Sequence, residues 1–257
     1  MSEPQFGEEL VRLASADNFR DVTGPDAAYA GAGGRPLRRG QLYRSNELQL
    51  SHGDAQTLSR LGIAAIYDLR TEHEVEAHPD AEVPGALWTH LGVRGIPMEA
   101  VSDLADRTTA HEVMLRVYRG FVELAGARDA FAALLRAIAE DDQPALFHCT
   151  AGKDRTGWAA ALVLHLAGVD DATILEDYLL TNTFSSGTRE KYLGLVREHL
   201  GADKVDVYER VMDADEAYLQ AGYDATAAAY GDRMSYLRDG LGLDAGLLDR
   251  LRDRMLG

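Results

Sequence analysis

Residues 144–157 read Pro-Ala-Leu-Phe-His-Cys-Thr-Ala-Gly-Lys-Asp-Arg-Thr-Gly, and this stretch constrains the fold more than any other. The apolar run Ala145 to Phe147 predicts a short buried strand, entered from a turn at Gln143-Pro144. A loop containing Gly152 follows, and from about Arg155 an apolar run through Trp158, Leu162 and Leu166 predicts a helix. A strand, a tight loop and a helix N-terminus in succession aim unpaired backbone N–H groups and the helix dipole at whatever sits in the loop. That is an anion site. Cys149, the only cysteine in the chain, opens the loop, where those N–H groups favour the thiolate, its nucleophilic form. Arg155 adds a planar fork suited to holding phosphate at two places. The plain structural alternative is a buried cysteine at a strand end with a surface arginine nearby. The preceding strand, His148, Gly152 and the trailing Thr156-Gly157 weigh against it.

A chain of 257 residues can bury a sizeable core, and a single domain over residues 1–257 is expected. Hydrophobic content of 46% and charged content of 26% fit a soluble globular protein. One cysteine excludes an intramolecular disulfide and any multi-cysteine metal site, and it leaves the nucleophile no resolving partner once oxidised. No cofactor and no metal are expected. Residues 1–8 lack the apolar core of a Sec-type leader, and no stretch is long and apolar enough to span a membrane. The expectation is a cytoplasmic protein without stable membrane insertion, with export by a leaderless route still compatible. The formal net charge of −16 argues against nucleic acid as a partner. It also means that an anionic substrate must be drawn in by a local cationic pocket within a Debye length, roughly 8–10 Å. Arg35, Arg38 and Arg39 read as a solvated basic turn or as contributors to that field.

Residues 8–16 are compatible with a short helix, and Thr23 to Gly34 with a hairpin-like connection before a strand at Gln41–Tyr43. Ser51 caps a helix through Leu61, with Gly62 behind it. Ile63–Tyr67 predicts a buried strand ending in Asp68-Leu69-Arg70; Thr71 and Glu74 have capping-box spacing for a short helix that Pro79 ends. Ala86–Val93 predicts another strand, and then a loop holding Gly95, Glu99, Asp103 and Asp106 is expected. Amphipathic helices are expected over 109–125 and 127–140, separated near Gly126. Strands alternating with helices predict an α/β fold with a largely parallel sheet, whose ligands sit outside the carboxyl ends of the strands. That puts Asp68, Arg70 and Cys149 at one edge if their strands are neighbours. Beyond Gly168 the pattern is helical: from Asp170 or Asp171 through Leu180, then about 188–200, 204–222, 226–239 and 244–255.

His148 to Thr156 matches the His-Cys-x5-Arg-Ser/Thr signature of cysteine-based phosphatases. Asn18-Phe19-Arg20-Asp21, Leu42-Tyr43-Arg44-Ser45, Asp68-Leu69-Arg70 and Tyr236 through Leu243 extend the resemblance to a bacterial and fungal branch of the tyrosine phosphatases, similar in fold to dual-specificity enzymes. The resemblance implies a cysteine-phosphatase-like, mostly parallel sheet flanked by helices, with a helical C-terminal extension or lid at about 188–239. It implies hydrolysis of phosphomonoesters, with Cys149 as nucleophile and a phosphocysteine intermediate. Arg155 and the backbone of Thr150, Ala151, Gly152 and Lys153 would hold the phosphoryl oxygens, Thr156 would donate to the sulfur, and His148 would brace the loop.

No Trp-Pro-Asp loop supplies the general acid. Asp154 is the first candidate, since some lipid phosphatases carry an aspartate just before the loop arginine; a salt-bridge role holding Lys153 or Arg155 is its alternative. Asp68 is second, and Asp103 or Asp106 third. Gly-Lys-x-Arg-Thr resembles loops of phosphoinositide phosphatases, so Lys153, with Arg70 nearby, extends the expected substrates from phosphotyrosine proteins to phosphoinositides. Apolar and aromatic residues over 188–239 read as core packing or as a lid excluding water and oxidants from Cys149. A sulfurtransferase and a phosphate-binding module without turnover are the competing functions.

Overall fold

Short segments bounded by turns become five strands in the structure, a computed structural model that describes residues 11–96 and 104–257. They are β1 (Arg20–Asp21), β2 (Leu42–Ser45), β3 (Ala65–Asp68), β4 (Leu87–His90) and β5 (Ala145–His148), in spatial order β1-β2-β5-β3-β4. Only β1 pairs antiparallel; β2, β5, β3 and β4 run parallel, giving the mostly parallel α/β sheet that the sequence predicts. Every residue of β2, β3 and β5 is buried, as befits parallel strands covered on both faces. The two faces follow the strand period of two. Tyr43, Ile66 and Leu146 pack with Leu58 of α1 (His52–Arg60), whereas Leu42, Tyr67 and Phe147 join a larger core on the other side.

That larger core is built from α3 (Arg107–Glu123), α4 (Ala125–Glu140), α5 (Asp154–Leu166) and α10 (Ala245–Met255). Trp158 of α5 is fully buried among the rings of Phe121, Tyr223 and Tyr236. The break between α3 and α4 falls at Leu124, which is extended, rather than at Gly126. The capping box of α2 (Glu72–Ala77) forms as expected, Thr71 and Glu74 bonding reciprocally.

The C-terminal part differs in its boundaries. α6 (Asp171–Leu179) is capped by Asp170, and α7 (Ser186–Leu200) lies where expected. The single helix expected over 204–222 is two, α8 (Val205–Met212) and α9 (Glu216–Tyr230). The break is chemical: Asp213 is extended with its carboxylate on Arg189, and Asp215 turns its own carboxylate back to cap α9. α9 then runs to Gly231 at φ 88°, so the helix expected over 226–239 begins earlier and ends in short helical turns at 233–240. Residues 11–16 are not helical, and 8–10 lie outside the described residues. No described helix is long and apolar enough to cross a membrane.

Candidate active site

β5 ends at His148 in register with Ser45 of β2 and Asp68 of β3, so Cys149 emerges at the carboxyl edge between two neighbouring strands. The loop after it is pinned from behind. Gly152 sits at φ 63°, and a Cβ there would come within 2.5 Å of the Ser45 carbonyl oxygen, so glycine is required for space as well as for conformation. Its carbonyl accepts from Nδ2 of Asn18 at 2.8 Å and Nη2 of Arg44 at 2.9 Å. Arg44 and Arg20, both fully buried, converge on the buried carboxylate of Asp177 in α6. The motifs around Asn18 and Arg44 are therefore the scaffold of this loop.

Arg155 is set by a residue that the sequence marks only as a helix cap. Both terminal nitrogens of its guanidinium donate to Glu74, each at 2.7 Å, and the hydroxyl of Thr150 donates to the same carboxylate. Burial pushes the Glu74 carboxyl up, but the Arg155 fork outweighs it and holds the group well below the usual carboxylate range. Glu74 thus stays ionised throughout the range where free carboxylates titrate, and the clamp survives mild acid.

Cys149, 2% exposed, lines a cavity of about 250 Å³ with Glu74, Asp154 and Arg155. Tyr192 of α7 and Val211 and Met212 of α8 line it too, so the late helices do meet the nucleophile's cavity. Asp154 begins α5; its Oδ1 accepts from the hydroxyl of Tyr118 at 3.0 Å and lies 3.3 Å from Nζ of Lys153. Tyr118 is in turn bonded to Tyr178 across 2.7 Å. Lys153 is buried and directs its ammonium at the C-terminal end of α8, donating to the carbonyls of Val211 and Asp213. Thr156 Oγ1 is buried with no hydrogen-bond partner among the described residues.

Other sequence candidates lie elsewhere. Asp68 and Arg70 do reach the same sheet edge as Cys149, yet both are fully buried behind the loop and neither lines the cavity. Arg70 bridges Asp68 at 2.7 Å and Asp80 at 2.8 Å, and His148 Nε2 lies 2.9 Å from Asp80. Asp68, Asp80 and His148 are close enough to hold a cation, and the Arg70 guanidinium supplies positive charge between the two carboxylates. Asp106 is the exposed N-cap of α3, and Asp103 lies outside the described residues. Arg35, Arg38 and Arg39 donate to the carbonyls of Gly257, Leu256 and Pro25. They precede β2 and so stand at the opposite end of the sheet from Cys149, which removes them as the source of its field. Sequence reasoning missed Glu74, Tyr118 and Asp177 as parts of this site.

A profile of the tyrosine phosphatase family matches residues 11–257. The triple specificity protein phosphatase PtpB of Mycobacterium tuberculosis is 30% identical over 286 residues, covering 95% of this chain and 98% of its own. A putative tyrosine-protein phosphatase of Cupriavidus necator is 34% identical over 248 residues, covering 94% and 88%. The crystal structure of TpbA from P. aeruginosa, at 19% identity and a TM-score of 0.33 over 74% of this chain and 98% of its own, is too loose a likeness to add to these. The sequence matches extend well beyond the Cys149 loop to nearly the whole chain, and it belongs to the tyrosine phosphatase family.

Proposed function

We propose that this phosphatase hydrolyses phosphotyrosine, and phosphomonoesters more widely, through a phosphocysteine on Cys149. The observation that carries the reading is the convergence of Cys149, Arg155 and Asp154 on one cavity. The Cys149 thiolate attacks phosphorus in line; the S–P bond forms as the ester P–O bond breaks, and the leaving oxygen takes a proton from Asp154. Arg155 and the loop N–H groups hold the three equatorial oxygens. Asp154, now a carboxylate, takes a proton from water as that water attacks phosphorus. The S–P bond breaks, and the unpartnered Thr156 hydroxyl is suited to stabilise the departing thiolate. Substrate in this cavity would lie against α7 and α8, which contribute Tyr192, Val211 and Met212 to its wall.

The substrate range includes phosphoinositides on this reading, in keeping with the "triple specificity" of the mycobacterial relative. Lys153 is the cation proposed for additional ring phosphates. It must first exchange the carbonyls of Val211 and Asp213 for phosphate, which couples such substrates to movement of α8.

The test uses the chain's single cysteine. Wild-type protein should hydrolyse p-nitrophenyl phosphate and a soluble phosphoinositide in the presence of EDTA. Alkylation by iodoacetate should abolish both, and inorganic phosphate should slow the alkylation. Turnover that survives complete alkylation would sink the mechanism, and loss in EDTA would sink its metal independence. Failure on the phosphoinositide alone would remove that substrate class. Sulfur transfer, or phosphate binding without turnover, would replace the reading if neither ester were hydrolysed.

A second expectation concerns Gly152. Gly152→Ala must push the loop away from β2, and a displacement near 1 Å at a reacting group costs about 100-fold. Steady-state rates should show a loss of that order in kcat/KM for p-nitrophenyl phosphate; a loss below about threefold would mean that the loop is not held in the geometry described.

A further inference from the structure

A chain with a net charge of −16 needs a local positive field to draw in a phosphorylated substrate, and the catalytic cavity itself does not provide a surplus. Arg155 is matched by Glu74 at 2.7 Å, and Lys153 faces Asp154 at 3.3 Å. The surplus lies next door. A groove of about 290 Å³ is lined by Arg94, Arg116 and the apolar side chains of Val113, Val117 and Leu124, with no carboxylate among its described lining. Arg94 and Arg116 are both exposed, and neither has an ion pair or hydrogen bond to a described residue. Gly95 and Val117 line both the groove and the catalytic cavity. At Gly95 the two are one residue apart: a Cβ there would stand 3.2 Å from Cζ of Arg155.

We infer that this groove is an accessory subsite for the polypeptide beside the phosphorylated residue, taking an acidic side chain on Arg94 and Arg116 and an apolar one on Val113, Val117 and Leu124. The inference rests on the phosphatase reading above. Two guanidinium forks suit carboxylates, with which they pair in plane through two parallel bonds. The apolar wall distinguishes the occupant: a peptide presents acidic and apolar side chains together, whereas a second phosphate on a polar ring would leave Leu124, 49% exposed, uncovered. Continuity with the catalytic cavity lets one peptide fill both. The groove would give the enzyme its attraction for substrate at the point of entry, where the body of the protein repels it.

The test compares two phosphotyrosine peptides of equal length, one with Glu and Leu flanking the phosphotyrosine and one with Gln and Ser in their place, on wild type and on the Arg94→Gln/Arg116→Gln double variant. Wild type should favour the Glu/Leu peptide by about tenfold in kcat/KM, expressed mainly in KM and weakening with salt. The double variant should lose that preference while its kcat on p-nitrophenyl phosphate, too small to reach the groove, stays at the wild-type level. Equal rates for the two peptides on wild type, or a preference that survives in the double variant, would overturn the inference. So would a variant defect confined to a soluble bisphosphorylated inositide, which would assign the arginines to a second phosphate. Wild-type turnover of p-nitrophenyl phosphate reports separately on the phosphatase reading, so the two can fail independently.

Discussion

Asp154→Asn should lower kcat/KM on phosphotyrosine by about 10²–10³-fold while kcat/KM on p-nitrophenyl phosphate, whose leaving group needs less protonation, falls markedly less. The asparagine keeps the size of the side chain and can still accept from Tyr118, so the substitution tests proton transfer rather than packing. Asp154 has two tasks on the proposed path: protonating the leaving oxygen and then taking a proton from water. Losing the first makes the rate depend steeply on leaving-group acidity. Losing the second slows dethiophosphorylation, so a burst of p-nitrophenol should precede a slow steady state. At rest Asp154 accepts from the Tyr118 hydroxyl and faces the Lys153 ammonium. Tyr118→Phe removes only that hydrogen bond and keeps the carboxylate, so it should be milder, about tenfold or less, without steepening the leaving-group dependence. Were Asp154 only a salt-bridge partner of Lys153, Asp154→Asn would lower kcat/KM equally for all esters, with an unchanged leaving-group slope and no burst. That result would return the acid to the unresolved candidates.

Much of this site was legible because it is local. Cys149, Gly152, Asp154, Arg155 and Thr156 occupy eight consecutive positions between a strand and a helix, so the sequence order alone brings them together. The parallel sheet was legible for the same kind of reason, as buried strands alternating with helices. What escaped reading is what folding brings from afar. Glu74 lies 81 residues from Arg155, and its capping-box spacing already accounted for it completely. Asp177 reads as an ordinary acid in an amphipathic helix until Arg20, 157 residues away, is found on it. Of the two readings of the arginines at 35, 38 and 39 the solvated turn holds; charge in a sequence carries no direction, and theirs lies at the far end of the sheet. Lys153 shows the converse: it lies in the loop beside Asp154, yet the C-terminal carbonyls of α8 hold its ammonium.

Asp177→Ala should destabilise the fold by about 3–5 kcal/mol, because it strands two buried guanidinium groups at once. Arg20 is 1% exposed and Arg44 0%, so neither can turn to water for a replacement partner. The cluster is already costly as it stands. Burial, and then the neighbouring Arg20, push Arg44 down to about 10, with Asp177 only partly offsetting them. Removing the offset leaves the cost. For a chain of this size the expected change is a fall in Tm on the order of 10 °C, read by calorimetry. Asp177→Asn, which keeps an acceptor for one arginine and the same volume, should fall between the two and serves if the alanine variant does not fold. A Tm within about 2 °C of wild type for both would show that the cluster contributes nothing to stability. The same substitution should reach the catalytic loop, since Arg44 spends its other terminal nitrogen on the Gly152 carbonyl. Inorganic phosphate stabilises whatever fold binds it, by mass action. At a phosphate concentration that raises the wild-type Tm, the Asp177→Asn protein should therefore show a smaller rise. An equal rise in both would confine Asp177 to the fold, leaving Asn18 alone sufficient to hold the loop for anion binding.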